Sequence, residues 1–236
     1  LHYGLVTLSS LATLNLVHSP PSRSLLVVAY PDIFLAADHI PEIGAAGAIG
    51  LEGVDRKFVH DMRRKGLHLR DLELFPEGGA YLLAEFGGET EDESFENARK
   101  CMRRLGGVAG APAMKLFRDP GKEQRIWNVR ESGLGATAHV PAMKENWEGW
   151  EDSAVAPERL GDYLRELKKL YRKYGYVGSF YGHFGQGCLH TRIDFDLKTA
   201  DGVRKFRSFI DEASSLVCEF GGSLSGEHGD GQSRAE

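Results

Sequence analysis

The sequence predicts an α+β domain in which an antiparallel sheet is layered against helices. Short apolar, β-prone runs alternate with helical segments along nearly the whole chain. Tight hairpin signals occur among them, which favours antiparallel layers over a doubly wound parallel sheet. The hydrophobic fraction of 42% against a charged fraction of 27% suits a 236-residue chain that buries a sizeable core.

The elements follow in order. Residues 5–17 read as a strand, broken by Pro20 and Pro21. Residues 24–30 (SLLVVAY) carry a buried-strand pattern. Asp32 caps a helix running to about Ile40, where Pro41 stops it. Residues 48–52 (AIGLE) are a short strand, and 55–65 a basic helix that Gly66 ends. Residues 79–86 (GAYLLAEF) are a further strand. Thr90, with acidic residues behind it, opens a helix through Arg104 that Gly106 and Gly107 close. A strand over 114–117, a helix over 121–132 and a strand over 151–155 come next. Pro157 suits the start of a helix over 158–174. Residues 177–195 form two strand-like arms around a glycine-rich centre. A long amphipathic helix over 199–220 ends at Gly221 and Gly222, and 223–225 restart an extended segment.

Lys and Arg number 29 against 34 acidic residues, a net charge of −5, which argues against a nucleic-acid binder. Three scattered cysteines, Cys101, Cys188 and Cys218, fit a reducing cytoplasm better than a disulfide framework. No apolar run approaches the ~20 residues that span a bilayer, and the first residues lack the basic region of a signal peptide. The chain starts inside an apolar stretch and stops after a glycine-rich polar one, so both ends read as cuts.

Two segments carry chemistry. In Gly182-His183-Phe184-Gly185-Gln186-Gly187-Cys188-Leu189-His190, one uninterrupted strand would send the two histidines to opposite faces. A two-residue hairpin turn at Gln186-Gly187 instead pairs His183 directly with His190, and two imidazoles so placed can bind one metal ion. In Ser225-Gly226-Glu227-His228-Gly229-Asp230-Gly231, Glu227 is the candidate third ligand of a His₂-carboxylate set. His228, with an ordinary pKa near ~6.5, is the candidate acid/base. Structural histidines and an incidental Glu-His pair are the competing readings. Neither glycine cluster has the spacing of a dinucleotide fingerprint.

At these residues the sequence resembles the C-terminal domain of FAD-linked oxidases, the group that includes D-lactate dehydrogenases, glycolate oxidase subunits and D-2-hydroxyglutarate dehydrogenases. The signature resembles G-H-x-G-D-G-N-L-H followed about forty residues later by G-E-H-G-x-G. Leu51-Glu52-Gly53, Trp127-Asn128-Val129-Arg130-Glu131 and Glu151-Asp152-Ser153-Ala154-Val155 also match. The resemblance implies a ferredoxin-like antiparallel sheet under helices. Residues 1–17 would be the tail of an FAD-binding domain, and 18–236 the substrate domain, truncated at its C-terminal end. It implies a divalent metal (Zn, Mn or Fe) held by His183, His190 and Glu227, with His228 taking the proton of a 2-hydroxy acid as hydride passes to FAD. Arg130 would hold a substrate carboxylate; its alternative is a surface salt bridge to Glu131 or Glu123. Implied partners are the FAD-binding domain and, by likeness to a bacterial subgroup, a fused iron–sulfur domain. The expected location is the cytoplasm, or the inner membrane face for the full-length protein. Gln186 stands where the pattern has Asp, Cys188 where it has Asn, and Arg192 where relatives often carry Asn. Arg192 thus joins Arg130 as a candidate for gripping an anionic substrate, and Cys188 is either a soft ligand or a packing residue. Trp147, Trp150 and His139 could line the pocket, core packing being the alternative for each tryptophan. A metal-dependent hydrolase and a non-catalytic binding domain are the alternative functions.

Overall fold

The apolar run at residues 24–30 becomes the body of β1 (Ser22–Tyr30), whose last seven residues are all buried. A strand buried on both faces needs cover on both sides of its sheet, and two separate helix layers supply it. The computed structural model describes residues 16–107 and 110–227.

The other strands are β2 (Ala48–Asp55), β3 (Ala80–Gly88), β4 (Ala113–Phe117), β5 (Ser153–Ala154), β6 (Gly178–Gly182) and β7 (Cys188–Ile193). They form one sheet in the order β4-β1-β3-β2-β6-β7-β5, with every pairing antiparallel. The first four have the ferredoxin-like order, because helices cross from β1 to β2 and from β3 to β4.

The helices are α1 (Ile33–Asp38), α2 (Ile40–Ala45), α3 (Arg56–Lys65), α4 (Leu69–Leu72), α5 (Glu91–Gly106), α6 (Pro120–Glu131), α7 (Gly133–Thr137), α8 (Leu160–Tyr174) and α9 (Ala200–Glu219). Leu26, Val28 and Tyr30 of β1 pack with α1, α2, α5, α8 and α9. Leu25, Val27 and Ala29 pack on the opposite face with α3, α4, α6 and α7. Alternation along one strand thus feeds two cores.

The caps explain several boundaries. Asp32, Asp55, Thr90, Asp119 and Thr199 each accept an amide hydrogen bond at a helix start. Gly66 and Gly175 end α3 and α8 in the left-handed conformation.

Three expectations need correction. Pro41 does not stop a helix: α1 ends at Asp38, and Pro41 sits in the first turn of α2, where a missing N–H costs nothing. The short helix α4 gave no signal. The strand expected over 151–155 shrinks to Ser153–Ala154, because Asp152 takes a left-handed φ of 61° that breaks the extended chain. The helix expected over 158–174 begins with a 3₁₀ turn at Pro157–Arg159 before α8. The strand expected over 5–17 lies outside the described residues except for Leu16 and Val17, which are exposed coil. Among the described residues no helix is long and apolar enough to cross a membrane.

Asp55 welds the sheet near the site. Its carboxylate accepts from the Phe58 amide at 2.8 Å, capping α3, and from the Phe180 amide at 2.9 Å, holding β6 against β2. Burial pushes its carboxyl up to about 6, against those two hydrogen bonds and nearby Lys168 and Lys57. An unfolded Asp titrates near ~3.9. The folded protein therefore binds this proton more tightly. The contribution is fully present below the unfolded pKa and is lost as pH rises through about 6. Urea unfolding across this window should show the wild type gaining stability relative to Asp55→Asn as pH falls. A difference that stays constant with pH would contradict it.

Candidate functional site

The site grows from the hairpin between β6 and β7. The register pairs Tyr181 with His190, Phe180 with Thr191 and Ser179 with Arg192. The expected two-residue turn, with His183 directly opposite His190, is therefore wrong. The chain instead makes a 3₁₀ turn over Phe184–Gln186, and the Cys188 amide donates to the His183 carbonyl at 3.1 Å. The fully buried Phe184 is the cause. Its ring packs so tightly on Gly53 that a Cβ there would come within 2.3 Å of it, so Phe184 cannot remain in the strand. Gly187 closes the turn at φ 70°, where an added Cβ would lie 1.8 Å from the Val155 carbonyl oxygen. The first arm gives up Phe184 and Gly185 to the turn and the second gives up none, so the register moves by two residues and the parity of the pairing survives. His183 and His190 still share a face, as diagonal neighbours with ring centroids 5.1 Å apart.

Each imidazole meets a carboxylate at Nδ1. Glu52 Oε1 of β2 lies 2.7 Å from His183 Nδ1, and Asp152 Oδ1 lies 2.8 Å from His190 Nδ1. Glu52 is itself held by Arg130 of α6: Nε donates to Glu52 Oε2 at 2.8 Å and Nη2 lies 2.7 Å from the same oxygen. The Arg130 guanidinium also lies over the Tyr181 ring at 5.4 Å. Arg130 thus pairs across the fold, not with Glu131 or Glu123. Asp152 is fully buried, and its left-handed backbone points the carboxylate at His190.

With both Nδ1 edges occupied, both Nε2 edges face Glu227. Its Oε2 lies 3.3 Å from His183 Nε2 and 3.7 Å from His190 Nε2, and donor atoms of the three residues all lie within 4.8 Å of one another. Glu227 arrives because Ser223 bridges Ala154 and the Gly226 amide donates to the Asp152 carbonyl at 2.7 Å. Imidazoles fixed by carboxylates, with their Nε2 atoms converging on a third carboxylate, are the donor chemistry of a divalent-cation site. His228 follows Glu227 in sequence and lies outside the described residues.

The electrostatics agree. The Glu52 hydrogen bond raises His183 above the usual histidine range, against burial and the charge of Arg130. Burial, with Asp152, Glu227 and Glu52 nearby, pushes the Cys188 thiol up to about 12.

Arg192, two residues beyond His190 on the same face, is buried and pairs with the exposed carboxylate of Glu148. It lines a pocket of about 380 Å³ with His139, Trp147 and Glu148. Trp147 bridges Ile193 and packs partly against the core. Trp150 is buried in the core, its indole Nε1 donating to Tyr163 at 3.3 Å. Sequence reasoning singled out the ligand candidates but gave no role to Glu52, Glu151 or Asp152. A signal was there for Glu52: a carboxylate inside an otherwise apolar strand needs a partner. Nothing comparable marked Asp152, whose use depends on a backbone kink.

Comparison with known proteins places these features in context. The family of FAD linked oxidases, C-terminal domain, matches residues 19–236. D-2-hydroxyglutarate dehydrogenase of Haemophilus influenzae is 26% identical over 230 residues, covering 93% of this chain and 22% of that protein. D-lactate dehydrogenase of Anaerostipes hadrus is 26% identical over 230 residues, covering 95% of this chain and 47% of that protein. The chain thus spans less than half the length of these curated relatives. Among solved structures, 4-ethylphenol oxidase from Gulosibacter chungangensis, in complex with isoeugenol, has a TM-score of 0.56 at 11% identity, over 87% of this chain and 45% of that one. That likeness is one of fold.

Glu52 holds two cationic or polar partners at once, so its removal should be costly. Glu52→Ala leaves the Arg130 guanidinium buried without its carboxylate and should lower stability by about 3–5 kcal/mol in urea unfolding. A loss below about 1 kcal/mol would mean that Glu52 is not the partner that holds Arg130.

Proposed function

Because this chain belongs to the family of FAD linked oxidases, C-terminal domain, we propose that it is the substrate-side domain of a flavoprotein that oxidises a 2-hydroxy acid. The observation that carries the proposal is the convergence of His183 Nε2 and His190 Nε2 on Glu227 Oε2, at 3.3 and 3.7 Å. The relatives named for D-2-hydroxyglutarate and D-lactate supply the substrate class.

His183, His190 and Glu227 form the donor set, and two oriented imidazoles with one carboxylate suit Zn, Mn or Fe and leave room for substrate oxygens. A divalent cation held there would supply Lewis acidity towards an alcohol oxygen, and FAD, when bound, would supply the hydride acceptor. Glu52 and Asp152 keep the imidazoles aimed and their Nδ1 edges engaged. His228, adjoining Glu227, takes the hydroxyl proton on an imidazole nitrogen.

Arg192 grips the substrate carboxylate in the pocket it shares with His139 and Trp147, the Glu148 carboxylate giving way to it. Arg130 adds positive charge beside His183 while its Nε and Nη2 remain on Glu52. Gln186 in place of Asp and Arg192 in place of Asn make this site less negative, which suits a substrate with a second anionic group. The three free thiols, Cys101, Cys188 and Cys218, fit a cytoplasmic location.

The test is to express the complete open reading frame, load it with FAD and screen 2-hydroxy acids for flavin bleaching. At least one acid should bleach the flavin. His183→Ala or His190→Ala should slow that reduction by roughly 100-fold or more, as should a chelator. Failure of every 2-hydroxy acid, or chelator-sensitive hydrolysis that needs no flavin, would overturn the proposal.

A further inference from the structure

At one end of the sheet, where the chain leaves β1 for α1, leaves β2 for α3 and enters β6 beside α8, lies a pocket of about 590 Å³. That volume falls within the roughly 300–1,000 Å³ of small-molecule sites. The pocket shares no lining residue with the one that holds Arg192. Phe34, Met143 and Phe180 give it apolar walls, and Arg56, Lys57, His60 and Lys168 give it basic groups. Its two acidic residues are engaged by backbone amides. Asp32 Oδ1 accepts from Phe34 and Leu35 at 2.9 Å, and the Asp55 carboxylate accepts from Phe58 and Phe180. Lys57 pairs with the buried Asp61 at 2.6 Å, and His60 Nδ1 lies 3.8 Å from the same carboxylate. Arg56 and Lys168 differ from these. Among the described residues neither forms a hydrogen bond or an ion pair.

We propose that this pocket binds an apolar organic anion, its carboxylate or phosphate head meeting Arg56 and Lys168 and its body resting on Phe34, Met143 and Phe180. Lys168 is half-buried, with its Nζ 5.7 Å from the ring centroids of both Tyr171 and Phe180. Burial holds its ammonium below the usual lysine range, against the attraction of Asp55, and the charges of Arg172 and Lys57 add to the effect. A half-buried cation with no carboxylate on it is costly, and an incoming anion offsets that cost. Arg56 reaches the same end of the sheet over Gly79, where a Cβ would lie 2.6 Å from its Nη2 and 2.0 Å from the Pro31 carbonyl oxygen. Its guanidinium fork matches two oxygens of either head group. The body is apolar because proline, aliphatic, aromatic and thioether side chains form the rest of the wall. Phe180 packs in the core on one face of the sheet, and Tyr181, the partner of His190, in the core on the other. This ligand and the 2-hydroxy acid therefore occupy separate sites.

Titration calorimetry on the FAD-loaded product of the complete open reading frame tests the site, with octanoate, octyl phosphate and octanol as ligands. At least one of the two anions should bind, and the tighter of them identifies the head group. Octanol, which has the body without the charge, should bind roughly 10-fold more weakly or worse. Lys168→Gln and Arg56→Gln should each weaken the anion by roughly 10-fold or more, because each removes a charged hydrogen-bond donor. Arg192→Gln should leave this binding unchanged. Absence of binding by both anions, equal binding of octanol, or full affinity in both the Lys168 and Arg56 variants would overturn the proposal. So would a loss confined to Arg192→Gln, which would put the anion in the other pocket. Should Lys168→Gln fail to fold, labelling of the wild type with acetic anhydride decides the matter. The anion should then shield Lys168 and leave the exposed Lys122 as reactive as before, and equal labelling of Lys168 with and without it would refute the site.

Discussion

Two carboxylates, Glu52 and Asp152, face the Nδ1 edges of His183 and His190, and the rest of the site depends on that constraint. An imidazole whose Nδ1 meets a carboxylate can turn only one nitrogen to a third partner. Both rings turn Nε2 towards the same oxygen of Glu227. The restraint reaches outward on both sides. Glu52 is gripped by Arg130 from α6, and Arg130 lies over Tyr181, which pairs with His190. Asp152 is held by a left-handed backbone, and the Gly226 amide binds its carbonyl. Sheet, helix layer and C-terminal segment therefore meet at a few polar contacts, and each contact belongs to two elements at once.

The fold is what lets distant residues share so small a space. Glu52 comes from β2, the histidines from the two arms of the β6–β7 hairpin, and Asp152 from the turn before β5. These strands are neighbours in one sheet despite wide separation in sequence. The face that carries the site belongs to the smaller core, built with α3, α4, α6 and α7, while α8 and α9 seal the other face. Strands carry Glu52 and His190, and His183 directly follows β6 at the start of the 3₁₀ turn. This suits a site that must hold donor atoms to within fractions of an ångström.

Much of this was legible in the chain. Apolar runs and caps located most strands and helices, because capping side chains and alternation act locally. The two-histidine motif and Glu227 were readable as chemistry from their residue types and glycine-rich settings. The hairpin register was not. It turns on Phe184, whose burial against Gly53 is a tertiary contact between β2 and the turn. The error of two residues on the first arm left side-chain parity intact, so the shared face was anticipated although the direct His183–His190 pairing was not. Asp152 was hidden for a related reason. The run from Glu151 to Val155 reads as a strand, and only the folded backbone shows the kink that makes Asp152 a partner of His190.

The central claim is spatial: one cation shared by His183, His190 and Glu227. It is tested most directly by an anomalous-difference map collected at the zinc edge from crystals grown with Zn²⁺. The account predicts a single strong peak about 2.0–2.2 Å from His183 Nε2, His190 Nε2 and a Glu227 carboxylate oxygen. A map with no peak among those three atoms, or with its strongest peak on other residues, would contradict it.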